Sequence, residues 1–169
     1  MKKRSSLAAC FLTALLLMAG TGHAGEANTL KPEGPMTNAR LEAILKTVEP
    51  NVKGSNGRWE MVRDGVPVMV LTDESHNRMR VIAPASELKQ VDQQILMRMM
   101  EANFARALDA RYAVFQGIVW AAFIHPLDSL RERDLISGLQ QVISLVKTTG
   151  TTFSSSELQF GPSYQEKGK

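Results

Sequence analysis

The sequence predicts an α+β domain with the element order α-βββ-α-ββ-α, a largely antiparallel five-stranded sheet packed with three helices. Three observations carry that prediction. Apolar residues recur at helical spacing in three separate stretches, and they alternate as strands do in the segments between. Two pairs of those strands are joined by Asp64-Gly65 and Gln116-Gly117, dipeptides suited to tight hairpin turns.

The chain opens on Lys2, Lys3 and Arg4, followed by an apolar run over residues 7–19 broken only by Thr13. Gly22 and Ala24 then place small side chains where a signal peptidase needs them. Residues 1–24 therefore read as a signal peptide cleaved between Ala24 and Gly25. A competing reading, a lipoprotein box at Leu7-Ala8-Ala9-Cys10, puts most of the apolar segment after the cysteine, whereas such a box needs it before. The run is shorter than the roughly 20 residues of a membrane-spanning helix, and no second run follows. The expected product is periplasmic or secreted, with no membrane attachment after cleavage.

Removing the leader changes the charge argument. The full chain holds 20 Lys and Arg against 17 Asp and Glu; the leader takes three basic residues and no acidic one, leaving 17 against 17. A near-neutral domain has no electrostatic footprint for nucleic acid. The single cysteine, Cys10, also leaves, which excludes disulfides and thiol chemistry. The remaining 145 residues suit one domain, with a core large enough to need no covalent staple.

Residues 25–37, with Pro32, Gly34 and Pro35, read as a flexible lead-in. The domain proper spans 38–153. Helix one is expected over 38–49, capped by Asn38, with Leu41, Ile44, Leu45 and Val48 as its apolar stripe. After a loop over 51–57, the Asp64-Gly65 turn pairs Arg63 with Val66, Met61 with Val68 and Trp59 with Val70 on one face. Pro67 points its missing donor away from that partner, so its strand is expected to be unpaired on the other side there. A third strand over 77–83 stops at Pro84.

Helix two is expected over 87–108, with an apolar arc wider than one sheet face requires. Strands over 111–115 and 118–124 are apolar on both faces, so both want cover, and a homodimer is the expected way to supply it. Helix three should start at a capping box of Ser129 and Glu132 and stop at Gly150. Residues 154–169 read as a polar tail.

No catalytic pattern stands out. His76 lies beside Asp73 and Glu74 in a short hairpin loop, too few converging ligands for a metal. His125 precedes Pro126 with no nucleophile to activate. Neither G-x-S-x-G nor a phosphate-cradling glycine loop occurs. The expectation is a non-enzyme without cofactor or metal.

Met99-Met100-Glu101-Ala102-Asn103-Phe104, then Ala107-Leu108-Asp109, then His125-Pro126-Leu127 with Leu130 resemble the second half of class I type III secretion chaperones, the Tir-chaperone family. The YbjN-like proteins, described as sensory regulators, are similar over the same span, about residues 38–153. The resemblance implies a homodimeric, non-enzymatic protein holding an extended segment of a protein client by strand addition and side-chain pockets. Trp59, Met61, Val68 and Met69 are then the candidate partner-binding residues, and Met100, Phe104, Trp120 and Ala122 the candidate dimer interface. Those chaperones act in the cytoplasm and are usually acidic, whereas this chain carries an export signal and is near neutral. The expected function is thus a periplasmic chaperone-like or adaptor protein. The alternative is a small-ligand carrier or sensory regulator with an apolar pocket between the sheet and helix two.

Overall fold

The computed structural model describes residues 34–157. The leader with its expected cleavage site at Ala24 and Gly25, most of the lead-in, and the tail from residue 158 lie outside them. Helix α1 (Asn38–Val48) precedes strands β1 (Lys53–Ser55), β2 (Arg58–Arg63), β3 (Val66–Asp73) and β4 (Arg78–Glu87). Helix α2 (Gln93–Ala105), strands β5 (Arg111–Phe115) and β6 (Ile118–Pro126), and helix α3 (Glu132–Thr148) complete the order. The sheet runs β1-β2-β3-β4-β6-β5, with every neighbouring pair antiparallel. An α+β fold with three helices is what the periodicity predicts, and the described residues form it with six strands in place of five.

The extra strand is β1, in the stretch expected to be loop. All three of its residues are exposed, so no apolar alternation announces it. Asn56 (φ 51) and Gly57 (φ 92) supply the left-handed turn that folds it onto β2. Asp64-Gly65 and Gln116-Gly117 turn the same way, all four residues at positive φ, and the β2–β3 register pairs Arg63 with Val66, Met61 with Val68 and Trp59 with Val70.

Four boundaries differ from expectation for local reasons. Strand β4 runs on through Pro84, because a register shift between Pro84 and Ser86 restores its pairing with β6. Helix α2 is correspondingly shorter, starting where the Asp92 carboxylate accepts the Ile95 N–H at 2.7 Å. At α3 the residue before the helix is Arg131, whose N–H reaches the Asp134 carboxylate at 3.4 Å, not Ser129. Likewise Thr37 rather than Asn38 caps α1.

The helices cover one face of the sheet. Trp59, Val70, Met79, Val81, Val119 and Ala121 are fully buried there against Leu41 and Leu45 of α1 and Leu135, Leu139, Val142 and Leu145 of α3. Each buried Val, Leu or Met side chain among them contributes about 1.5–3 kcal/mol relative to exposure. Helix α3 packs tightly on the sheet at Gly138, where a Cβ would lie 2.5 Å from the Phe123 ring.

Tyr112 joins strand β5 to this core, its phenol donating to the Leu145 carbonyl at 2.8 Å. Burial pushes that phenol above its ordinary ionisation range. The folded state therefore favours the protonated form, and this stabilisation is present below about pH 10 and lost as pH rises through the folded value. The thermal stability advantage of the native chain over Tyr112→Phe is expected to shrink above about pH 10. A pH-independent difference would assign the phenol no such role.

Candidate protein-binding groove

The face of the sheet away from the helices carries an open groove of about 590 Å³. Its position follows from two prolines. The β3–β4 ladder ends at the pair Met69 and Ile82; continuing that antiparallel register, Val68 falls opposite Ala83 as a non-hydrogen-bonded pair, and the next pair that would exchange hydrogen bonds is Pro67 opposite Pro84. Proline has no N–H, so neither hydrogen bond of that pair is possible. The strands stop pairing there, and the groove opens between Pro67, Met69, Ile82 and Pro84, bordered by Val62 and Trp120. The expectation that β3 is unpaired beside Pro67 matches this register.

The groove continues to a strand edge. Residues flanking a two-residue hairpin turn exchange hydrogen bonds, so Arg63, Met61 and Trp59 point their backbone groups at β3. Glu60 and Val62 then point theirs the other way. Strand β1 takes Glu60 but pairs no further than Lys53, leaving the backbone of Val62 without a strand partner among the described residues. The Val62 side chain is 65% exposed. An uncovered edge beside an apolar groove suits an extended segment that adds to the sheet and places alternate side chains in the groove.

Of the expected partner-binding residues, Met69 alone is on the groove face, half-buried. Met61 and Val68 border the groove, yet their side chains are buried on the helix-covered face, and Trp59 is wholly buried there. Alternation places Trp59, Met61 and Val68 on one face correctly, but that face belongs to the core. Val62, Pro67, Ile82 and Pro84 escape a search for large apolar patterns, because a proline pair facing across a ladder is visible only once the register is known.

A second exposed apolar surface lies on α2, where Met97, Met100 and Phe104 are 54%, 41% and 82% exposed. Only Met99 and Ala102 of this helix are fully buried. Asn103 anchors it, its side-chain carbonyl accepting the Tyr112 N–H at 2.7 Å and its amide donating to the Tyr112 carbonyl at 3.1 Å. That side chain thereby satisfies the outer edge of β5 at Tyr112, in place of another strand. Of the four expected interface residues, Met100 and Phe104 are thus on α2, while half-buried Trp120 and Ala122 are on β6, with Trp120 at the groove.

The two histidines among the described residues, His76 and His125, make local contacts. His76 Nδ1 is 2.7 Å from Asp73 Oδ2 in the exposed β3–β4 loop, and that carboxyl is held well below its usual range, mainly by hydrogen bonds from Ser75 and His76. His125 stacks on Phe123. Among the described residues no cluster of three potential metal ligands occurs, and no helix is long and apolar enough to cross a membrane.

No protein-family model matches the chain, and no curated protein matches it in sequence. Its three-dimensional relatives are clearer. It is similar to a chain of the HopA1–SchA chaperone–effector complex at 16% identity and TM-score 0.52, covering 64% of this chain and 88% of that one. A chain of the ExsC–ExsE complex matches at 13% identity and TM-score 0.51, covering 66% and 92%. A chain from the complex of the Yersinia pestis type III secretion chaperone SycH with a stable fragment of YscM2 matches at 15% identity and TM-score 0.52, covering 67% and 98%. The fold is that of the type III secretion chaperones.

Proposed function

We propose that this protein is a non-enzymatic, chaperone-like or adaptor protein that works in the periplasm and holds an extended segment of a protein partner in the groove between β3 and β4. The observation that carries this reading is the parting of β3 from β4 at Pro67 and Pro84, beside the uncovered edge of β2 at Val62. Main-chain hydrogen bonds at that edge supply affinity, and the apolar groove supplies selectivity. The similar structures are described as complexes, one of them a chaperone–effector complex, which supports a protein partner. Export is supported by the layout of residues 1–24.

The protein acts as a homodimer in this reading, with Met97, Met100 and Phe104 of α2 covered by a second copy. Three exposed apolar side chains on one helix are unusual for a surface facing only water. The carrier reading is less favoured: Met99 and Ala102 fill the contact of α2 with the rest of the fold, and the large apolar groove is on the opposite face.

Two measurements test this. Light scattering of the mature chain is expected to give the mass of two copies, and of Met100→Asp with Phe104→Asp one copy with unchanged circular dichroism. A single-copy native chain would remove the dimer and leave the groove reading standing. Val62→Asp, which charges the groove border without touching the core, is expected to lose a partner that the native chain retains in affinity capture. Retention of that partner by the variant would move the binding surface elsewhere.

A further inference from the structure

We propose that the groove selects a basic side chain, arginine above all, on the segment it binds. The inference rests on reading the groove as a protein-binding site and names the chemistry that the site takes. With the β3–β4 register continued to Pro67 and Pro84, the alternation of the ladder directs both backbone carbonyls toward the gap, and neither residue offers an N–H. An ordinary opened ladder presents donors and acceptors in equal number; this one presents acceptors alone. The groove lining also carries the carboxylates of Glu49 and Glu60 and the ammonium of Lys53, with the Arg58 guanidinium paired to Glu60 just outside it.

A ligand that satisfies such a site brings donors and removes apolar surface from water. Arginine does both, with five N–H groups in a plane that stacks on aromatic faces. Trp120 borders the groove, its indole N–H engaged with the Phe115 carbonyl at 3.3 Å, which fixes the ring and leaves its π-face as the contact it can offer. Glu60 Oε1 is held by Arg58 of its own strand, through Nη2 at 2.7 Å and Nε at 3.0 Å, with both side chains exposed. An exposed pair of this kind is weak, so Glu60 can turn to an incoming guanidinium at little cost. Norleucine fills the same space but leaves the carbonyls unserved, and glutamate adds repulsion.

The test is fluorescence anisotropy of the mature chain with dye-labelled seven-residue peptides of alternating valine and serine, differing only at the central position: arginine, lysine, norleucine or glutamate. The arginine peptide is expected to bind about tenfold more tightly than the norleucine peptide, with glutamate weakest. Glu49→Gln combined with Glu60→Gln should narrow that preference. Equal affinities for arginine and norleucine overturn the inference while the groove remains a strand-binding site. A basic preference unchanged in the double variant also overturns it, by placing the preference elsewhere. If no peptide binds, the protein-binding reading of the groove falls with it. Binding seen only after removal of residues 158–169 would give the groove to the chain's own tail, which carries Lys167 and Lys169, and overturn selection of a partner.

Discussion

Gln141→Leu is expected to cost the fold about 2–4 kcal/mol, a large share of the stability of a domain this size. Gln141 is buried, and its carbonyl accepts two backbone N–H groups, those of Asp109 at 2.8 Å and Ala110 at 3.0 Å. Its amide donates to Asp109 Oδ2 at 3.2 Å and Ser137 Oγ at 3.0 Å. One side chain therefore pins the turn between α2 and β5 onto α3. Leucine matches its bulk but leaves the N–H of fully buried Ala110 without a partner, and an unsatisfied buried donor costs about 1–3 kcal/mol by itself. Asp109 is exposed and can recover water, which keeps the total below two full penalties. Urea unfolding measures the loss. Gln140→Leu, on the exposed side of the same turn of helix, is the control and should change stability by less than about 0.5 kcal/mol. Equal effects at the two positions would contradict the assignment.

The second large effect is expected at Gly138, where α3 crosses β6. An added Cβ meets the Phe123 ring at 2.5 and 2.8 Å, well inside contact distance, and Phe123 is itself buried. Alanine recovers up to about 1 kcal/mol of helix propensity, partly offsetting the clash, whereas valine enlarges it and adds its own helix penalty. Gly138→Val is thus expected to destabilise by about 2–4 kcal/mol and Gly138→Ala by less. Combining Gly138→Val with Phe123→Leu should restore part of the loss, a coupling that a double-mutant cycle reads directly. Additive losses would mean that Phe123 is not what the new side chain strikes.

Much of this architecture was legible because patterns that act locally also agree with the fold. Three helical stripes, two glycine turns at positive φ and the pairing of Met61 with Val68 all follow from residue spacing. What escaped depends on partners distant in sequence. Strand β1 is three polar residues whose only signal is the Asn56-Gly57 turn. The start of α3 depends on Asp134 reaching back to Arg131 rather than on Ser129. The groove is the clearest case. Trp59, Met61 and Val68 stand out as apolar residues near a hairpin, yet large apolar residues on a half-covered sheet go to the covered face. The residues that shape the open face are Pro67 and Pro84, seventeen positions apart, whose significance is that each lacks the hydrogen that the other would need.

Amide hydrogen exchange of the mature chain, alone and with its captured partner, tests the central claim most directly. The account predicts slowed exchange in the partner complex along β2 at residues 60–63 and along β3 at residues 68–69, with α3 unchanged. Slowed exchange confined to the helices, or none along β2 and β3, would contradict a partner held in the groove.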